Sequence, residues 1–338
     1  MSHGEEIAYD AVMAMLSFSL IILSVILFCL WKKKPVDDHY EEIMAAKACA
    51  SPYSLMDIDA ATDGFNRRRI IGQGRLGTVY AAVLPNGELV AVKRIHPRLV
   101  LSNAASFGFS SMLKWLSLAH HPNIVPILGF SEAPAERIFV MEFVSMVNLD
   151  YYLHQNSDAA SLLDWGRRLR IAAGVARGVE YLHEVAAPPI LHGCIKPSNI
   201  LVDVKFVAKL CDYGLSSLAS QERRGLEGYV DEEYWAAAGR RGASKESDVY
   251  GFGVVLLELL SGRCSEGGLL ANWALPLIKE MKLGELLDPR LVIPSDMKPL
   301  VRLAKVASAC VGNCRKNRPS IVQVAAILNN LEMGVMGI

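Results

Sequence analysis

Hydrophobic and polar positions follow three regimes along the chain. Residues 11–31, AVMAMLSFSLIILSVILFCLW, form an apolar run without a single charge. Residues 32–52 turn polar, with Asp37, Asp38, Glu41 and Glu42. From Tyr53 onward the alternation is that of a folded domain. Residues 79–83 and 89–95 read as strands joined by Pro85-Asn86-Gly87, where glycine supplies a positive φ. Residues 106–119 place Phe, Met, Leu and Trp at helical spacing, and 124–130 and 137–143 read as strands. Beyond Asn148 helical spacing dominates, over 162–183, 247–261, 271–282, 300–314 and 320–331. A strand-rich first third followed by helices predicts an α+β domain of two lobes.

As a helix the apolar run would span roughly 32 Å, enough for a hydrocarbon core. Lys32, Lys33 and Lys34 follow it, whereas Glu5, Glu6 and Asp10 precede it. The positive-inside rule therefore puts residues 1–10 outside the cell and the rest in the cytoplasm. A cleaved signal peptide would need a basic start and a small-residue cleavage site, so the acidic start and Trp31-Lys32 stop favour a single membrane anchor. Cys29, near the inner leaflet, is either an acylation site or lipid-facing filler. Ten external residues are too few to fold into a ligand-binding domain. The expected division is an external stretch 1–10, a transmembrane helix 11–31, a juxtamembrane linker 32–55, a folded domain 56–332 and a tail 333–338.

Composition narrows the classes. The 338 residues carry 35 Lys plus Arg and 35 Asp plus Glu, so no basic field invites nucleic acid. With 52% hydrophobic and 21% charged residues the chain is not disordered. Seven cysteines do not make a disulfide scaffold, and Cys310 and Cys314 lack a second ligand pair, so both read as helix residues rather than zinc ligands.

Ile71-Gly72-Gln73-Gly74-Arg75-Leu76-Gly77 is the strongest local signal. Alone, G-x-G-x-x-G is shared with dinucleotide folds, where it opens a helix. Here it leads through Val79 into a strand and a hairpin, an arrangement in which backbone amides close over phosphates. Ala91-Val92-Lys93 then matches the strand whose lysine holds the α- and β-phosphates. His192-Gly193-Cys194-Ile195-Lys196-Pro197-Ser198-Asn199 stands where H-R-D-x-K-x-x-N is expected, and Asp212-Tyr213-Gly214 stands for D-F-G. In that scheme Asn199 and Asp212 hold Mg²⁺.

With YSLMDIDAATDGF, KPSNILVD and SDVYGFGVVLLELLSGR added, the chain resembles the plant receptor-like (Pelle-related) kinase family from about Tyr53 to Leu331. The resemblance implies a bilobal kinase fold, with an N-lobe over about 65–144 and a C-lobe over about 145–332. It implies an ATP cleft with Mg²⁺, a gatekeeper-like Met141, and a hinge at Glu142 to Val144. It also implies plasma-membrane residence and association with other receptor-like kinases or signalling proteins. Asp248 would brace the catalytic loop, and Glu233 would pair with Arg318.

The departures fall on catalytic groups. Cys194 occupies the position of the proton-accepting Asp, and a thiol with a pKa near 8.5 is a poor acceptor at neutral pH. Gly193 removes the preceding Arg, which would dock a phosphorylated loop. The acidic partner of Lys93 on the helix expected over 106–119 would stand at Met112, and no acidic residue occurs between Leu99 and Glu132. Glu232 replaces a Pro, and Leu226 stands where the family has a substrate-positioning Thr. The leading reading is a membrane-anchored pseudokinase that binds ATP and acts by association. The alternatives are a low-activity Ser/Thr protein kinase and a scaffold that ignores nucleotide. Ser216, Ser217 and Ser220 beside Arg223 and Arg224 are either phosphorylation sites or an exposed polar loop, and Arg240-Arg241 reads as solvated loop.

Overall fold

Strand alternation builds the first lobe around a six-stranded sheet. A computed structural model describes residues 49–102, 108–145, 147–156, 158, 162–219, 223, 225–235 and 242–336, with residues 19, 23 and 24. The chain divides into one unit ending at Ala48 and a second from Cys49 to Ile338. The expected anchor over 11–31 lies outside the described residues except for Ser19, Leu23 and Ser24, which are helical and exposed. Among the described residues no helix is long and apolar enough to cross a membrane.

In the second unit the strands are β1 (Ser51–Pro52), β2 (Ile70–Gln73), β3 (Gly77–Val83), β4 (Leu89–Ile95), β5 (Ile127–Ala133) and β6 (Glu136–Glu142), in the order β1-β5-β6-β4-β3-β2. Only β1 runs parallel to its neighbour, β5; the other pairs are antiparallel. Central β4 is buried on both faces. Val90 and Val92 join Ile58, Ile138 and Val140 in one cluster, while Ala91 and Ile95 belong to the main core with Leu113 and Phe139. Ile58 comes from α1 (Leu55–Ala61), whose N-cap Ser54 accepts a hydrogen bond from the Asp57 amide at 3.0 Å. The Ala50 amide also donates to Ser117 Oγ at 2.7 Å, so residues 50–55, read above as linker, form part of the lobe. Helix α2 (Phe109–Leu116) buries Phe109, Leu113 and Leu116.

The second lobe is built on α3 (Trp165–Glu180) and α4 (Lys245–Ser261), with a small hairpin β7 (Ile200–Val202) and β8 (Ala208–Leu210) beside the cleft. Nearly every α4 side chain from Ser247 to Ser261 is buried, as befits a helix apolar all round and placed at a lobe's centre. A capping box starts it: Ser244 Oγ accepts from the Ser247 amide at 3.1 Å and Ser247 Oγ from the Ser244 amide at 2.8 Å. Helices α5 (Leu269–Lys279), α6 (Lys298–Cys310) and α7 (Ile321–Met336) complete the lobe. Helix α6 stops at Cys310, which is buried. Cys314, expected inside it, instead lies exposed in the turn beyond, because the chain leaves helical geometry at Val311.

Candidate active-site cleft

A cleft of about 680 Å³ separates the sheet from the helical lobe. Its roof is the β2–β3 loop. A Cβ on Gly77 would lie 2.0 Å from the Arg94 carbonyl oxygen, so close strand pairing alone demands glycine there. Gly72 and Gly74 are different. A Cβ on Gly74 would meet nothing within 4 Å, and one on Gly72 only Val79 at 3.9 Å. Packing does not require these two glycines, and both line the cleft. Val79, Ala91, Met141, Glu142 and Val144 line the cleft as the sequence places them. Glu142 is tied across the cleft edge to Lys209 Nζ at 2.9 Å.

Lys93 reaches the cleft from β4 and is 4% exposed. Its ammonium forms an ion pair with Asp212 Oδ2. Helix α2 offers no carboxylate, and Met112 is half-buried against the core instead. The lysine has thus taken as its partner the carboxylate expected to hold a metal. Asp212 adopts a left-handed backbone (φ 63°), uncommon for a residue with a side chain. Tyr213 is buried, with its hydroxyl donating to the Val125 carbonyl at 3.0 Å, so Tyr fills the Phe site by gaining a hydrogen bond.

The catalytic loop hangs from Asp248. Its carboxylate accepts from the His192 and Gly193 amides, both at 2.8 Å, and lies 2.9 Å from His183 Nε2. Burial pushes the His192 imidazole down against the pull of Asp248, which favours a neutral ring. Gly193 has φ 83°, and a Cβ there would sit 2.5 Å from Ser216 Cβ. Gly193→Ala is therefore expected to destabilise the unit by about 1–3 kcal/mol, read as a lowered midpoint in thermal unfolding.

Cys194 is 6% exposed and packs with Leu226, Val230 and Tyr234 of the segment that follows Asp212-Tyr213-Gly214. Burial pushes its thiol pKa up, and nearby Lys196 and Arg75 offset this only in part. The proton-acceptor position thus holds a neutral thiol in an apolar cluster. Lys196 Nζ donates to the Gly225 carbonyl at 3.0 Å, which also commits it to that segment. The donor set still fits Mg²⁺ with a nucleotide. Asp212 Oδ1 is buried without a hydrogen-bond partner, and Asn199 donates Nδ2 to the Cys194 carbonyl at 3.0 Å, leaving Oδ1 for a cation.

One expected pair is corrected. Arg318 pairs with Asp231 rather than Glu233, and Arg315 joins them with Nη2 2.6 Å from Asp231 Oδ1. Asp231 is buried at the head of the short helix Glu232–Trp235, whereas Glu233 sits on that helix, half-buried. Sequence reasoning also missed Arg75, whose Nη1 donates to the Ala219 carbonyl at 2.9 Å and straps the glycine-rich loop to the turn Ser216–Ala219. No spacing rule signals a contact across 144 positions. Ser217 is exposed and Ser216 half-buried against Gly193; Ser220, Arg224, Arg240 and Arg241 lie outside the described residues.

Residues 65–325 match the protein kinase domain. The chain is similar to the leucine-rich repeat receptor protein kinase EMS1 of Arabidopsis thaliana, at 36% identity over 82% of this chain and 24% of that protein. It is also similar to the proline-rich receptor-like protein kinase PERK1 of the same plant, at 35% identity over 82% of this chain and 44% of the relative. Among solved structures, the pseudokinase domain of BIR2, an immune regulator of the RLK/Pelle family, superposes with a TM-score of 0.68 at 34% identity, covering 82% of this chain and 85% of that one. The chain spans less than half the length of EMS1 and PERK1. A bilobal sheet-plus-helix fold, the ordered motifs and these likenesses make one statement: the chain belongs to the protein kinase family, in its receptor-like (RLK/Pelle) branch.

Proposed function

We propose that this chain is a membrane-anchored pseudokinase: it binds ATP with Mg²⁺ and signals at the plasma membrane by associating with active receptor-like kinases. The observation that carries the reading is the buried thiol of Cys194 under Leu226, Val230 and Tyr234. A substrate hydroxyl needs a proton acceptor, and although Cys194 borders the cleft, what it offers there is a neutral thiol packed among apolar side chains. The Lys93–Asp212 pair supports the same reading, since Lys93 lacks an acidic partner on α2. Nucleotide binding is supported separately by the cleft that Gly72 and Gly74 line and by the unpartnered Asp212 oxygen. Bound Mg²⁺ would neutralise the phosphate charges; Lys93, Asn199 and Asp212 would orient them. The membrane part rests on the apolar run and its three lysines.

The test is transfer of labelled γ-phosphate by the full chain in detergent, with Mg²⁺ or Mn²⁺ and a generic acceptor protein. Kinases turn over at about 1–100 s⁻¹. This chain is expected to give no more signal than its Lys93→Met variant, while ATP·Mg²⁺ raises its thermal midpoint. Transfer that disappears in Lys93→Met would replace the reading with that of a low-activity Ser/Thr kinase. A midpoint indifferent to ATP would leave a scaffold that ignores nucleotide.

A further inference from the structure

Away from the cleft, His154, Glu258 and Cys264 converge. His154 lies on the helical turn Tyr151–Gln155, Glu258 on α4 and Cys264 in the loop beyond α4. One nitrogen, one oxygen and one sulfur from these side chains lie within 4.8 Å of one another. The fold brings them together; the sequence separates His154 from Glu258 by 104 positions and carries no ligand-spacing signature. We propose that these three side chains form a zinc site, with water as the fourth ligand.

Glu258 makes the argument. Its side chain is fully buried, and a buried carboxylate needs a cation or several donors. Oε1 accepts from the Tyr229 hydroxyl and the Ser265 amide, each at 2.7 Å. Those bonds fix the carboxylate plane and leave Oε2 facing His154. Such outer hydrogen bonds are the usual support of a metal-ligating carboxylate.

The spacing of one pair is that of two ligands around an ion, and Cys264 Sγ lies within 4.8 Å of both. His154 Nε2 and Glu258 Oε2 are 3.5 Å apart, beyond the 2.7–3.2 Å of good hydrogen bonds. A tetrahedral zinc with bonds of about 2.0–2.3 Å holds its ligand atoms roughly 3.3–3.8 Å apart. Imidazole, carboxylate and thiolate form a borderline-soft set that suits Zn²⁺ and disfavours Mg²⁺ or Ca²⁺. Cys264 is exposed, which gives the ion an entry path and the water a place. On binding, the thiol gives its proton to solvent and sulfur bonds the metal. Zinc would join the turn Tyr151–Gln155 to α4 and, through Tyr229 and Ser265, to the end of the segment that covers Cys194.

The experiment titrates the full chain, purified in detergent and stripped with chelator, first with Co²⁺ and then with Zn²⁺. One equivalent of Co²⁺ is expected to give a thiolate-to-metal charge-transfer band that one equivalent of Zn²⁺ removes. Cys264→Ser should abolish the band and weaken Zn²⁺ binding by about tenfold or more, and His154→Gln should weaken it comparably. Cys314→Ser, which removes an exposed thiol elsewhere, should change neither. Being exposed, Cys264 can be replaced without unfolding the chain, which an unchanged metal-free thermal midpoint verifies. Absence of the charge-transfer band, or equal Zn²⁺ affinity in wild type and Cys264→Ser, overturns the proposal.

Discussion

Replacing Asp288 with Asn is expected to lower the thermal midpoint of the folded unit by roughly 6–10 °C and to flatten part of its acid sensitivity. Asp288 is the only carboxylate facing Arg168 among the described ion pairs, and both side chains are 0% exposed. The Arg168 guanidinium gives Nη2 to Asp288 Oδ2 at 2.7 Å, Nη1 to the Leu259 carbonyl at 2.6 Å and Nε to the Leu163 carbonyl at 2.9 Å. Burial pushes its pKa down and Asp288 holds it up, so the carboxylate is what keeps this cation charged inside the lobe. Removing one partner of a buried pair costs about 3–5 kcal/mol because the other charge is left uncompensated. For a unit of this size about 2 °C per kcal/mol converts that loss into the expected shift.

The same pair sets a pH dependence. Burial works to raise the Asp288 carboxyl, but hydrogen bonds from Arg290 and Arg168 outweigh it and hold the pKa at about 2. A carboxylate depressed in the folded state binds fewer protons there than in the unfolded chain. Its stabilisation is therefore complete above the ordinary carboxylate range near 4 and is lost as pH falls from there towards about 2. Asp231, also held down by Arg315 and Arg318 against burial, adds its own loss in the same direction. Midpoints recorded from pH 7 to pH 3 should fall in the wild type and fall less steeply in Asp288→Asn. Parallel curves would show that Asp288 titrates normally in the folded chain.

What could be read from the sequence was what local pattern controls. Strand β4 matches its expected bounds because Leu89–Ile95 is a short, largely apolar run held between turn residues and a proline. Helix α4 was visible through its long apolar run, expected over 247–261 and found over Lys245–Ser261. The cleft residues were legible because the glycines, Lys93, Asn199 and Asp212 stand in ordered motifs at fixed offsets. The illegible features are those in which two distant charges choose each other. Asp231 and Glu233 are two positions apart, and which one meets Arg318 depends on the turn that buries Asp231. Arg75 reaching Ala219, Lys93 turning to Asp212 and Arg168 meeting Asp288 are likewise tertiary choices. The opening strand β1 was missed for a related reason: two residues pairing with β5 leave no periodicity to detect.

Cys194→Asp, the change that restores the acceptor by name, is expected to raise phosphate transfer by less than tenfold. A positioned general base is worth about 10²–10⁴ in rate, so a shortfall of that size needs a physical cause. The cluster supplies it. Leu226 is 1% exposed, Val230 9% and Tyr234 8%, and all three pack where a substrate hydroxyl would have to arrive. A carboxylate placed among them is desolvated, which raises its pKa and penalises the charged form that would accept the proton. Lys93 remains paired with Asp212, so the phosphate-holding group is no better positioned after the change. Groups that act as a unit are not recovered one at a time. Single-turnover transfer by the full-chain variant, with Lys93→Met as background, measures the gain, and ATP-dependent stabilisation should match that of the wild type because Gly72, Gly74 and Asp212 are untouched. A gain of about a hundredfold would mean that the base alone was missing and that the segment over Cys194 opens in solution, which is the behaviour of an enzyme rather than of a binding module.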